Sequence, residues 1–132
     1  MLCGRILVAE DNPVNQVVAV GLLEALGLEA DVVSEGQAAL DALTRTPDRW
    51  DLLLTDVQMP RLDGLDLVRT LREREWTHPI VVVSAGAMRS DVEQAHAAGC
   101  NAHLKKPIRR EELHAVLLEL LPDSSCRPAT TP

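Results

Sequence analysis

The stretch DLLLTDVQMPRLDG, residues 51–64, decides the fold. It starts with a short, continuous apolar run, which is typical of a strand buried on both faces of a parallel sheet. The run leads directly into the carboxylate of Asp56, and Asp63-Gly64 is typical of a turn. A buried strand that ends on an acid needs an explanation. The residues predicted to lie beside Asp56 indicate what this carboxylate does.

On both sides of this stretch, short apolar runs alternate with segments of helical periodicity. The predicted strands are Arg5–Ala9, Ala30–Val33, Asp51–Thr55, Ile80–Val83 and Ala102–Leu104. The first predicted helix starts at Pro13 and would be ended by Gly27, and the others are Gln37–Leu43, Leu65–Arg72, Arg89–Ala98 and Glu111–Leu121. Strict alternation predicts an α/β fold: a doubly wound, five-stranded parallel sheet in the flavodoxin-like order 2-1-3-4-5, with helices on both faces.

The first helix has clear start signals. Asn12 is a good N-cap, and Pro13 occupies the first helical position, where its missing N–H costs nothing. Apolar residues then recur at helical spacing, and we expect them to face the sheet: Val14, Val17, Val18, Gly21, Leu22 and Ala25.

Length and composition limit the possible functions. The 132 residues fit one domain, and we expect a lead-in at 1–4, the domain at 5–121 and a polar, proline-rich tail or linker start at 122–132. The net charge of −7 argues against direct binding of nucleic acid. No apolar run approaches the roughly 20 residues that span a bilayer, so no membrane insertion is expected.

The cysteines and the N-terminus suggest a cytoplasmic setting. Cys3, Cys100 and Cys126 are odd in number and far apart, and no C-x-x-C occurs. A disulfide framework or a thiolate metal site is therefore not expected. The first residues also lack the charged-then-apolar pattern of a secretion signal.

Polar residues follow four of the predicted strands. They are Glu10 and Asp11, then Asp56, then Ser84, then Lys105 and Lys106. In a doubly wound sheet these positions meet at one edge, where such folds bind ligands. Two like charges about 4 Å apart repel by roughly 4 kcal/mol at an effective dielectric near 20, so the clustered acids suggest a shared cation. Oxygen ligands without His or Cys favour Mg²⁺ or Mn²⁺.

A carboxylate beside such a metal and a lysine is suited to phosphoryl transfer. The carboxylate can act as a nucleophile and form an aspartyl phosphate. The metal and the ammonium neutralise charge on the phosphoryl oxygens, and the Ser84 hydroxyl can donate a hydrogen bond to them.

Four motifs in this order resemble the response-regulator receiver domain of two-component signalling: ILVAEDNPVNQ, DLLLTDVQMPRLDG, PIVVVSAGAM and AGCNAHLKKPI. The match runs from about Arg5 to Leu121. The residues of the first and third motifs resemble those of receivers attached to hybrid sensor histidine kinases. Each motif alone is a weak signal, but together they are highly specific.

The resemblance implies a role for each clustered residue. Asp56 would be the phosphoacceptor, Ser84 the switch hydroxyl and Lys106 the phosphate-binding lysine. The metal would be held by Glu10 through water and directly by Asp11, Asp56 and the backbone carbonyl of Gln58. The phosphoryl donor would be a sensor histidine kinase or a histidine phosphotransfer protein, and a homodimer through the 88–121 face is a further expectation.

One position departs from the usual pattern of the family. Three residues before Lys106, receivers often carry a Tyr or Phe that rotates inward on activation, but this chain has His103. We hypothesise that the inward state is weaker here, or sensitive to pH. The resemblance also implies that the Lys106–Pro107 peptide bond is cis. The free-energy difference between cis and trans is much smaller for X–Pro bonds than for other peptide bonds.

Three other functions compete with the phosphorylated switch. A degenerate receiver would bind partners without phosphorylation, but the five functional residues are intact. A haloacid-dehalogenase-like phosphatase would place its nucleophile in a D-x-D after the first strand, whereas Asp56 follows the third strand and position 58 is Gln. Flavodoxin-like FMN binding would need a hydroxyl-rich phosphate loop, where this chain has two acids.

Overall fold

The computed structural model describes residues 4–59, 62–85 and 89–121, without the side chains of residues 89–91. Five parallel strands form one sheet in the order β2-β1-β3-β4-β5, which confirms the predicted fold class. The strands are β1 Arg5–Ala9, β2 Glu29–Val33, β3 Leu52–Asp56, β4 Ile80–Ser84 and β5 Ala102–Lys105. The helices are α1 Pro13–Ala25, α2 Gly36–Arg45, α3 Gly64–Glu73, α4 Arg89–Ala98 and α5 Arg110–Leu120.

The sheet is buried on both faces. Successive side chains of a strand point to opposite faces, and β3 shows the consequence: Leu53 belongs to the core with α2 and α3, whereas Leu52 and Leu54 belong to the core with α1 and α5. Because both faces are covered, the strands read as continuous apolar runs rather than as alternating patterns.

The buried face of α1 differs from the prediction. Val14 and Val17 are 70% and 73% exposed and Val18 is also exposed, whereas Ala19 and Leu23 are buried. The helix is apolar around most of its circumference, so periodicity alone does not identify the side that meets the sheet. Its start is as predicted, because Asn12 Oδ1 accepts hydrogen bonds from the backbone N–H groups of Val14 and Asn15.

The ends of two strands bring the polar residues into the sheet itself. Asp56 is the last residue of β3 and lies opposite Val83, and Ser84 is the last residue of β4 and lies opposite Lys105. The apolar runs predict strands that end one residue earlier, at Thr55 and Val83. Ladder pairing therefore continues through the polar residues, which fixes their backbones.

Three sequence expectations concern the rest of the chain. Residues 1–3 and the tail at 122–132 lie outside the described residues, as does Pro60. The Lys106–Pro107 bond is cis, as predicted. No helix in the described part of the chain combines the length and the apolar character that a membrane crossing requires.

Candidate functional site

A cavity of about 560 Å³ opens at the carboxyl edge of the sheet. All the predicted site residues line it: Glu10, Asp11, Asp56, Gln58, Ser84, His103 and Lys106. The parallel topology therefore brings together residues that are up to 96 positions apart in sequence. Asn15 and Gln94 also line the cavity. They were not predicted, because an amide on a helix carries no chemical signal in the sequence.

An ion pair between Asp56 and Lys106 lies at the centre of the cavity. Lys106 Nζ donates a hydrogen bond of 2.7 Å to Asp56 Oδ2 and lies 3.4 Å from Glu10 Oε1. Burial alone would lower the pKa of the Lys106 ammonium, but the hydrogen bond and charge of Asp56, with the charge of Glu10, raise it above its ordinary value. The lysine is therefore held as a cation against two carboxylates.

The three acids form a group suited to a hard cation. Glu10, Asp11 and Asp56 each offer a carboxylate oxygen, and these oxygens all lie within 4.8 Å of one another. Burial, and then the charge of Asp56, hold the pKa of Glu10 above its ordinary value of 4.5. An all-oxygen donor set in which Asp11 is exposed and all three acids line the cavity fits Mg²⁺, which keeps several waters and needs few carboxylates.

The turn between β1 and α1 holds Glu10 in place. Glu10 is buried, and its Oε2 accepts a hydrogen bond of 3.1 Å from the backbone N–H of Asn12. The side chain of Gln16 donates to the backbone carbonyl of Glu10. Asn12 therefore has two functions, since it caps α1 with its side chain and orients Glu10 with its backbone.

The backbone after β3 folds closely over Asp56. Val57 N–H donates to the Val83 carbonyl at 3.1 Å, and Gly64 N–H donates to the Val57 carbonyl at 2.7 Å. A Cβ atom at Gly64 would overlap the backbone carbonyl of Asp56, so only glycine permits this approach. Asp63 then caps α3 by accepting from Asp66 N–H, which leads the chain away and leaves the Asp56 carboxylate facing the cavity.

Ser84 and His103 form the side of the cavity next to α4. Ser84 Oγ lies 2.7 Å from His103 Nε2, within hydrogen-bond distance. The carbonyl of Ser84 accepts from Lys106 N–H at 2.8 Å. The backbones of Ser84 and Lys106 are thus hydrogen-bonded to each other, and both side chains line the same cavity as Asp56.

This arrangement can carry out chemistry on a phosphoryl group. Asp56 offers a fixed, accessible carboxylate as a nucleophile. Lys106 provides positive charge that phosphoryl oxygens need, and a cation held by the acid cluster would add to it. The individual role of each clustered residue stays a prediction.

Comparison with known proteins gives one family and several relatives. A family model described as the response regulator receiver domain matches residues 6–118. Hybrid signal transduction histidine kinase K of Dictyostelium discoideum is 36% identical over 87% of the chain, but the chain spans only 10% of that protein. The osmosensing histidine kinase SLN1 of Saccharomyces cerevisiae is 38% identical over 87% of the chain, and the chain again spans only 10% of that protein.

Solved structures of receiver domains share the fold. The receiver domain of sensor histidine kinase PA1611 from Pseudomonas aeruginosa has a magnesium ion coordinated in its active-site cleft. It superposes with a TM-score of 0.81 at 36% identity, covering 90% of this chain and 98% of that one. The receiver domain of the yeast response regulator Ssk1 was solved in complex with the histidine phosphotransfer protein Ypd1. That match has a TM-score of 0.75 at 25% identity and covers 88% of this chain and 85% of that one.

Proposed function

The chain belongs to the response regulator receiver domain family of two-component systems, and on this basis we propose that Asp56 accepts a phosphoryl group from a phosphohistidine. The observation that carries the proposal is the 2.7 Å contact between Asp56 Oδ2 and Lys106 Nζ beside the Glu10–Asp11 pair. It combines a nucleophile, a cation and a site for a second cation in one cavity.

The transfer follows from the positions of these groups. A carboxylate oxygen of Asp56 attacks phosphorus, and the bond between phosphorus and the donor's imidazole nitrogen breaks, leaving its electron pair on that nitrogen. Lys106 neutralises charge on the moving phosphoryl oxygens. When bound, Mg²⁺ adds positive charge at the same oxygens, and the residues that would hold it are Asp11, Asp56 and the Gln58 carbonyl, with Glu10 through water.

The donor is a kinase or a histidine phosphotransfer protein, and the surface of α1 supports this proposal. Val14, Val17 and Val18 are exposed there, and Glu24 is the helix's one charged residue. A second cavity, of about 300 Å³ and lined by Val18, shares Asp56 with the first. An apolar surface of the donor that packs on α1 would therefore bring its phosphohistidine next to Asp56.

The phosphorylated unit is a signalling switch rather than an enzyme that turns over an external substrate. We place this unit at residues 5–121, and residues 122–132 would form a tail or the start of a linker. Self-dephosphorylation returns it to the resting state. The homodimer through the 88–121 face stays a prediction, and so does the cytoplasmic location.

One experiment separates this proposal from its competitors. The protein is incubated with acetyl phosphate and Mg²⁺, and its intact mass is measured. A single phosphate adduct that is lost in Asp56→Asn and kept in the surface variant Glu24→Gln is the expected result. No adduct with any donor would favour a degenerate receiver, and rapid multiple turnover of acetyl phosphate would favour a phosphatase.

A further inference from the structure

The hydrogen bond between Ser84 and His103 limits what the serine can do. A serine hydroxyl has one proton to donate, and a neutral imidazole has one donor nitrogen and one acceptor nitrogen. The 2.7 Å distance between Ser84 Oγ and His103 Nε2 therefore fits two arrangements. Either Ser84 donates to an unprotonated Nε2, or a protonated Nε2 donates to Ser84.

Phosphorylation of Asp56 selects one of these arrangements. Phosphoryl oxygens accept hydrogen bonds, so Ser84 must use its proton for them. It then has no proton left for His103, and the contact with the ring persists only if Nε2 carries the hydrogen. This requirement holds for the neutral Nε2–H tautomer and for the imidazolium alike.

The sheet keeps the two side chains on the same face. His103 lies opposite Val82 and Ser84 lies opposite Lys105 in the pairing of β4 with β5. Val82 is two residues before Ser84, so the His103 ring and the Ser84 hydroxyl are diagonal neighbours on one face of the sheet. Both line the cavity that contains Asp56 and Lys106.

We propose that His103 is a positioning residue for phosphoryl transfer, which directs the Ser84 hydroxyl toward the phosphoryl group by donating a hydrogen bond from Nε2. The inference rests on the proposed role of Asp56 and adds a function that a phenylalanine at this position lacks, because its ring has no N–H. In this chain His103 therefore acts on the Ser84 hydroxyl through a directed hydrogen bond.

The direct test is the protonation of the His103 ring in the wild-type protein. Ring ¹⁵N spectra are recorded with and without Mg²⁺ and beryllium fluoride, which mimics the phosphoryl group, and His103 is assigned by comparison with His103→Gln. We expect a protonated Nε2 in the phosphoryl-like state. An unprotonated Nε2 in that state overturns the proposal.

A double-mutant cycle tests the same idea by kinetics. In the reaction with acetyl phosphate, the P–O bond to the acetyl group breaks and acetate leaves, and the rate is followed by intact mass at limiting donor. We expect His103→Leu to slow phosphorylation about fivefold, the factor that one ordinary hydrogen bond provides. His103→Gln, whose amide can donate, should stay within about twofold of wild type.

The background variant Ser84→Ala shows whether the effect passes through the serine. There, His103→Leu should change the rate less than about twofold, because the hydroxyl that His103 directs is gone. An equal loss in both backgrounds means that His103 acts only structurally and contradicts the inference. If the wild type gains no phosphate at all, the proposed function itself is wrong, which is a distinct result.

Discussion

Lys106 Nζ lies 2.7 Å from Asp56 Oδ2 and 3.4 Å from Glu10 Oε1, so one ammonium connects two buried carboxylates, one at the end of β3 and one in the turn after β1. The pair joins the end of β3 to the loop after β5 across the intervening β4. It also fixes the nucleophile at the place where positive charge is available. Stability and reactivity therefore depend on the same contact.

Replacing Lys106 should affect both properties. In Lys106→Met, Asp56 and Glu10 face each other without a cation, so phosphorylation by acetyl phosphate should slow at least about tenfold. Stability should fall by about 1–2 kcal/mol, less than for a fully buried pair because the lysine side chain is 25% exposed. Lys105→Met is the matched control, since Lys105 is the exposed neighbour. Equal losses in the two variants, in rate and in urea unfolding, would contradict this account.

The raised pKa of Glu10 predicts a pH dependence of stability. Because the folded protein keeps this proton to a higher pH than the unfolded chain does, it binds more protons just above pH 4.5. Stability therefore falls as the pH rises through that window. Glu10→Gln should remove this term, so in metal-free buffer the variant should gain stability relative to wild type from pH 4.5 upward. Urea unfolding at several pH values checks this, and a constant difference between the two proteins would refute it.

Magnesium should stabilise the protein through the acid cluster. A ligand at about 100 times its Kd adds about 2.7 kcal/mol to the free energy of unfolding, which corresponds to a rise of several degrees in melting temperature for a domain of this size. Asp11→Asn should lose most of this rise, and Glu24→Gln, with an exposed acid elsewhere, should keep it. A rise of the same size in all three proteins would show that magnesium acts elsewhere.

The exposed and buried faces of α1 can be told apart by two substitutions. Leu23 is fully buried, so Leu23→Ala should cost about 2–5 kcal/mol. Val17 is exposed, so Val17→Ala should change stability by less than about 0.5 kcal/mol. Denaturant unfolding measures both. A large loss of stability in Val17→Ala would mean that the face predicted from the periodicity is the buried one.

Much of this molecule could be predicted from the sequence, because each level of organisation has its own signal. Continuous β-branched runs such as Ile80–Val83 indicate buried parallel strands, and Asn12-Pro13 marks a helix start. The parallel topology then predicts that Asp56 and Lys106 meet, although they are 50 residues apart.

Other features depend on tertiary structure and carry no local signal. The side of α1 that meets the sheet depends on the shape of the core, since Val17 and Leu23 are both apolar. The contact of Ser84 with His103 depends on the register of β4 and β5, and sequence patterns do not determine that register with single-residue accuracy. The close approach of Gly64 to the Asp56 carbonyl is likewise a property of the folded loop.

The most direct test of the central claim is to locate the phosphoryl group on the chain. The protein is treated with acetyl phosphate and Mg²⁺ and then with borohydride, which reduces an aspartyl phosphate to homoserine, and the product is digested and sequenced by mass spectrometry. We expect homoserine at position 56 alone. Homoserine at position 11, or an unmodified aspartate at position 56 in a protein that carries phosphate, would contradict it.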